Sequence, residues 1–402
     1  FITRFYSSAA FGPERLVLGL IGRGASRAEI RALAHGEADR IAVWQVVERR
    51  DTPSSSGSEA GPKGLPVGLK RNEILLHSPD TGTRLTAPRY WPTWLGIGLM
   101  RLLIKLPYRL QLSLGRMLGK LLKWLSPYRR TIVATNLELC FPELDARERK
   151  QLMRRFYESL GMSIIETAAG LWAPDSFFNR LGSIEGLEYL QSARTEGKGV
   201  LLLSGHFCSL DFAGRTLMHH YPACFTYQEL RNKLSDRIIN KAREKNCKIL
   251  IHRHDTRGFI RALKSGEVVW YAPDQDPGRK NSVFAPLFGI PANTLTATTR
   301  LAKLTGAAVM PFIIQRLPDA QGYKLTIQPA LDNFPGADEV EDAARFNALL
   351  ESQLRANPEQ YLWIHRRFKS RPDGGASVYP PKPRRVRKLK RLRKRAARKS
   401  SG

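Results

Sequence analysis

Between residues 199 and 328 the chain repeats one pattern: a short, largely apolar run, then a segment with helical period. The runs are Val200–Leu203, Cys224–Tyr227, Lys248–Ile251, Val268–Tyr271, Ala308–Ile314 and Tyr323–Gln328. Each is too short for a stable helix, and the runs at 200 and 268 lack polar alternation, as strands buried on both faces do. The helical segments are Lys233–Asn246, Arg257–Lys264 and Thr294–Leu304, the second bracketed by Gly258 and Gly266. Strands interleaved with helices bury their faces as layers, so the predicted fold class is α/β, a central mixed sheet flanked by helices. A broad apolar helical face from Asp145 to Trp172 precedes the alternation, and a last helix, Val340–Arg355, ends near Asn357-Pro358. No internal repeat is present.

The flanks differ in texture. The chain has 402 residues, enough for one large domain or two ordinary ones. Residues 1–86 are read as an extension without chemistry, a fragment or over-extended reading frame because it opens on Phe1. It holds a helical pattern at Arg27–Ile41 and a linker composition at Pro53–Pro62. Residues 87–126 are rich in Leu, Ile and Trp, with cations at Arg101, Lys105, Arg109, Arg116, Lys120 and Lys123. This stretch has no charge-free apolar span of bilayer length. Trp91, Trp94 and Trp124 among cations suit a membrane interface or a short tilted anchor, against the alternative of a buried helix pair. Cations are denser after the apolar stretch, which predicts a cytoplasmic side for the residues beyond it. Residues 376–402 are expected to be a basic disordered tail: Lys382–Lys399 holds twelve cations and no acid. Removing those twelve from the net +29 leaves a body near +17, so an anionic partner is expected. Cys140, Cys208, Cys224 and Cys247 form no C-x-x-C pair and read as reduced thiols rather than a disulfide or zinc framework.

Chemistry concentrates in Gly199-Val-Leu-Leu-Leu-Ser-Gly-His206-Phe-Cys-Ser-Leu-Asp211. A strand ends in two small residues, a histidine comes next, and a carboxylate lies five positions on, in the expected first turns of a helix. A carboxylate on one imidazole nitrogen fixes the tautomer and raises the basicity of the other. His206 is therefore the candidate general base and Asp211 its candidate partner. The spacing is common by chance, and a lone histidine of this kind is more often structural. His252-Arg-His254 has no third metal ligand and reads as a surface turn. His219-His220 reads as a polar helix end. No phosphate-binding glycine loop is present, so nucleotide use is not expected.

Five segments add specificity: Pro88-Arg-Tyr-Trp-Pro-Thr-Trp-Leu-Gly-Ile-Gly, Asn136-Leu-Glu-Leu-Cys-Phe-Pro-Glu-Leu, Leu203-Ser-Gly-His-Phe, Gly266-Glu-Val-Val-Trp-Tyr-Ala-Pro-Asp-Gln-Asp and Trp363-Ile-His-Arg-Arg-Phe-Lys-Ser-Arg-Pro. In order and spacing they resemble the late acyltransferases of lipid A biosynthesis, the lauroyl type above all, over about residues 87–375. The resemblance makes 127–375 an acyltransferase domain in the bacterial inner membrane, with its active site on the cytoplasmic side. It implies transfer of an acyl chain from acyl carrier protein to a hydroxyacyl chain of the Kdo-bearing, tetra-acylated lipid A precursor. No cofactor is implied, because the acyl carrier protein thioester is itself the donor. His206 would take the hydroxyl proton and Asp211 would orient it. Arg243 corresponds to an arginine the family keeps, a fixed cation suited to a phosphate of acceptor or donor. Asp274, after an apolar strand and a proline, would orient a cation or hold a turn. Direct transfer needs no enzyme nucleophile, so Cys208 is read as packing. Relatives commonly have Tyr-Arg where this chain has Tyr227-Gln228, and Arg231 is the expected substitute charge. His365 with Arg366 and Arg367 reads either as a headgroup phosphate contact or as a solvated basic patch.

Two other readings stand beside this one. Glycerol-phosphate acyltransferases share H-x-x-x-x-D, but carry a Phe-Pro-Glu-Gly block after it, whereas Phe141-Pro-Glu143-Leu lies before it and lacks the glycine. A basic membrane-surface or nucleic-acid-binding protein would use the tail, yet the tail lacks interleaved aromatics, so nucleic acid is not expected as a partner.

Overall fold

The computed structural model describes residues 85–278 and 281–381. The helical pattern at 27–41, the linker at 53–62 and the basic run 382–399 lie outside the described residues. After a single 3₁₀ turn at Pro88–Tyr90 come four helices: α1 Trp91–Leu103, α2 Tyr108–Leu125, α3 Pro127–Cys140 and α4 Ala146–Trp172. Proline opens α3, where its missing N–H costs nothing. A reciprocal capping box starts α4: Asp145 accepts from Glu148 N at 2.7 Å, and Glu148 accepts from Asp145 N at 2.8 Å. The α2–α4 crossing is a backbone contact made by glycines. A Cβ on Gly161 would lie 2.1 Å from Gly115 O, and one on Gly119 would lie 2.0 Å from Tyr157 O. The outer faces of α1 and α2 expose Trp91, Leu95, Leu102, Met117 and Trp124. Among the described residues no helix is long and apolar enough to cross a membrane.

The sheet lies beyond α4. Its strands are β1 Gly182–Glu185, β2 Val200–Leu203, β3 Cys224–Tyr227, β4 Ile249–His252, β5 Val268–Tyr271, β8 Ala308–Arg316 and β9 Tyr323–Ile327, with β6 Ser282–Leu287 and β7 Ile290–Leu295 forming a separate hairpin. Their order is β1-β9-β8-β2-β5-β3-β4, parallel at every junction except antiparallel β8–β9. Helices α5 Asp175–Leu181, α6 Leu187–Thr195, α7 Leu210–His220, α8 Lys233–Asn246, α9 Thr256–Lys264, α10 Ala297–Thr305 and α11 Glu339–Ala356 complete the chain. The mixed α/β architecture is the one the alternation dictates, with the apolar strands β2, β5 and β8 buried at its centre.

Two differences from expectation have physical causes. Thr294 belongs to β7 rather than opening a helix, and α10 begins three residues later, at Ala297. The β6–β7 turn uses Phe288 and Gly289, both at positive φ (52° and 71°), as a two-residue hairpin turn requires. A phenylalanine there hides the usual Asn-Gly or Asp-Gly signal. The folded chain also continues past residue 375: Tyr379 is buried, its hydroxyl donates to Asn136, and Phe368 N donates to it at 3.1 Å.

Candidate active site

The site grows from two neighbouring parallel strands. β2 and β5 pair in register, Leu203 opposite Tyr271, and Ser204 N donates to Tyr271 O at 3.0 Å. Three residues beyond each strand end stand His206 and Asp274, so the pairing itself brings them level. The carboxyl ends of parallel strands are where open α/β sheets place their ligands. Gly205 lets the β2 chain turn in a crowded place, since a Cβ there would lie 2.8 Å from Leu350 Cδ1.

Asp274 is fully buried and wraps the histidine. Its Oδ1 lies 2.5 Å from His206 Nδ1, and its Oδ2 accepts from His206 N at 2.9 Å. The Tyr361 hydroxyl donates to the same Oδ2 at 2.8 Å. Burial pushes the Asp274 carboxyl up, but the charge and hydrogen bonds of His206, with the Tyr361 bond, outweigh it and hold the carboxyl at about 2. Burial and the Asp274 charge push the Tyr361 phenol well up, so it stays a donor. An ionised Asp274 accepts the Nδ1 proton, which makes Nε2 the basic nitrogen of His206.

The carboxylate on Nδ1 is thus Asp274, not Asp211 as the five-residue spacing predicts. The first turn of α7 brings Asp211 between two other helices. Its Oδ2 accepts from Thr167 of α4 at 2.7 Å, and its Oδ1 accepts from Arg243 Nη2 of α8 at 3.1 Å. Gly170 allows α4 to approach that closely, since a Cβ there would lie 2.9 Å from Asp211 O. The acid-and-arginine pair is about 30% and 28% exposed, so it is a wetted feature rather than a core ion pair.

His206, Asp211 and Arg243 line one open cleft enclosing about 2210 Å³, its mouth included. Apolar side chains from α1, α4, α7 and α8 form most of the remaining wall, among them Ile97, Ile164, Met218 and Ile239. Asp274 stays behind the histidine, away from the cleft. Such an arrangement can serve general-base chemistry: the imidazole has a carboxylate on its dry side and an apolar groove on the other. Cys208 also lines the cleft, but burial pushes its thiol up to about 12, which leaves no thiolate for nucleophilic work.

The segment Tyr361–Ser370 clamps the site from outside the sheet. Leu362 N donates to His206 O at 3.0 Å, and Cys208 N donates to Gln360 O at 2.7 Å. Ser370 N and Oγ and Lys369 Nζ bind the buried Asp276 carboxylate at 2.8, 3.0 and 3.2 Å. His365 Nε2 accepts from Asp276 N at 3.2 Å, and burial holds its imidazole at about 3, therefore neutral. Arg367 is buried and donates to Asn293 O at 2.6 Å and Thr294 Oγ1 at 2.8 Å. The basic motif thus fastens the loop carrying Asp274, and Arg367 is neither a headgroup contact nor a solvated charge. Beside Gln228 the cation is Arg253, whose Nη1 lies 3.4 Å from Gln228 Oε1, rather than the expected Arg231. Tyr361 and Thr167 were invisible to sequence reasoning, because each meets its partner across many residues. Asp274 did leave a signal: it stands after Val268–Tyr271 at the offset at which His206 stands after Val200–Leu203.

Comparison with known proteins bears on the same residues. The family profile described as bacterial lipid A biosynthesis acyltransferase matches residues 79–370. The chain is 41% identical to the lipid A biosynthesis lauroyltransferase of Escherichia coli (strain K12), over 76% of this chain and 100% of that protein. It is 40% identical to the lipid A biosynthesis palmitoleoyltransferase of the same strain, over 73% of this chain and 95% of that protein. It is 29% identical to that strain's lipid A biosynthesis myristoyltransferase, over 76% and 95%.

Proposed function

This chain belongs to the bacterial lipid A biosynthesis acyltransferases and is an acyltransferase, and from that premise we propose how it works and on what. The donor is an acyl carrier protein thioester carrying a lauroyl chain. The acceptor is a hydroxyl on a hydroxyacyl chain of the Kdo-bearing, tetra-acylated lipid A precursor. His206 Nε2 takes the hydroxyl proton as the oxygen attacks the thioester carbonyl carbon. The new C–O bond forms, the C–S bond breaks, and the departing thiolate takes the proton back from His206. An aliphatic hydroxyl is too weak an acid to ionise beforehand, so proton removal accompanies attack. Asp274 holds the imidazole in the required tautomer and stabilises its positive charge. The Asp211–Arg243 pair, at the cleft wall, supplies a cation for phosphate of the acceptor or of the donor's phosphopantetheine arm.

The observation that carries this reading is the buried Asp274–His206 contact backing an apolar cleft. The body's positive charge fits both an acidic carrier protein and a phosphorylated lipid. The exposed Trp91, Trp94 and Trp124 among cations support seating on the cytoplasmic face of the inner membrane, lying in the interface.

The test is mass spectrometry of the product made from the tetra-acylated precursor with mixed acyl carrier protein donors. His206→Ala and Asp274→Asn should each lower turnover by at least about 100-fold, the scale of losing a general base or its orienter. Near-normal turnover by purified His206→Ala enzyme removes the mechanism.

A further inference from the structure

Beyond His206 the cleft wall continues as a row of rings. The Trp270 ring stands edge-on to His206 at 6.2 Å, and Phe225 lies nearly parallel to Trp270 at 6.0 Å. Gly214 of α7 lies against Phe225, and all four residues line the same cleft. A Cβ on Gly214 would meet Phe225 Cε1 at 2.9 Å and Phe225 Cζ at 3.1 Å, and its three nearest atoms all belong to that ring. The missing side chain at 214 therefore has one consequence on this wall: it lets the Phe225 ring lie back against α7. Phe225 is partly exposed, on the second position of β3, so its ring has somewhere to go if pushed. That somewhere is the cleft, because α7 closes the other side.

We propose that Gly214 and Phe225 form the length gate of the cleft, setting how long a fatty acyl chain fits when its reacting end is at His206. The proposal rests on the acyl-transfer reading above and adds the residues that select among chains. A saturated chain gains contact with Trp270 and Phe225 methylene by methylene, and the ring held back by Gly214 marks where that contact ends. Because apolar pockets discriminate by about 10-fold or more per methylene, a ring displaced by one methyl group is enough to change the preferred chain.

The experiment offers the full-length enzyme an equimolar mixture of decanoyl, lauroyl, myristoyl and palmitoyl acyl carrier protein with one acceptor, and reads product masses. Gly214→Ala should shift the product ratio toward shorter chains by about 10-fold, and Phe225→Ala toward longer chains by a similar factor. Gly214→Ala combined with Phe225→Leu should return the ratio toward that of the unsubstituted enzyme. If Gly214→Ala fails to fold, Phe225→Ala and Phe225→Leu carry the test. A second arm fixes the donor and varies the acceptor's hydroxyacyl length. A shift in the donor arm assigns the gate to the transferred chain, and a shift confined to the acceptor arm assigns it to the acceptor chain. Transfer with unchanged profiles in both arms overturns the gate alone. No transfer by the unsubstituted enzyme with any donor overturns the acyl-transfer reading, and the gate with it.

Discussion

At the scale of single residues, two aspartates, one on the cleft wall and one behind His206, live under different electrostatics. Asp211 stands at the wetted wall with Arg243, whereas Asp274 is sealed with His206 and Tyr361. Sealing has a consequence for acid stability. Asp274 is depressed from an ordinary 3.8 to about 2, so its contribution to folding is complete above 3.8 and is lost as pH falls through about 2. Denaturant midpoints measured across that interval should fall with pH in the unsubstituted protein and fall less steeply in Asp274→Asn. Parallel curves would mean the carboxylate is not stabilised by its neighbours. His206 was legible from the sequence because strand, small pair and histidine are contiguous. Spacing points to the wrong partner because a helical turn separates reach along the chain from reach in space. The matching offsets of His206 and Asp274 from their strands were present, but pairing of β2 with β5 had to be known before they meant anything.

At the scale of elements, the strands that place the site were legible, and those with broken signals were not. β2, β3 and β5 run over the residues their apolar runs predict. β1, at the sheet edge, alternates between exposed and half-buried positions and gives no apolar run. The β6–β7 hairpin hid behind its Phe-Gly turn. The glycines of the α2–α4 crossing carry the sharpest prediction at this scale. In Gly161→Ala the new methyl would fall 2.1 Å from Gly115 O and 2.3 Å from Gly119 N, backbone atoms that cannot swing aside. Overpacking of this kind costs about 1–3 kcal/mol. A urea titration should show the midpoint falling accordingly, and an unchanged midpoint would mean the two helices are not held at backbone contact.

For the whole molecule, the boundary that matters lies after Tyr379. A chain ending at residue 381 keeps Tyr379 against Asn136 and Phe368 and should retain acyl transfer. A chain ending at residue 377 loses that buried ring and should lose about 3–5 kcal/mol of stability, as removal of a core aromatic does. Thermal melts and turnover of the two truncations check this together, and equal stability would place Tyr379 outside the core. The flanking segments were legible only as composition, which reports charge and texture but not where packing stops. The α4 helix carries a larger consequence. Gly161 fixes it to α2, whose outer face exposes Met117, Leu121 and Trp124 among cations, and Thr167, six residues on, holds Asp211 at the cleft. At 1.5 Å per residue those two points are about 9 Å apart on one rigid rod. On the seating proposed above, with α1 and α2 on lipid, that rod ties membrane seat to cleft: the Asp211 carboxylate would move only as the lipid-facing helices move.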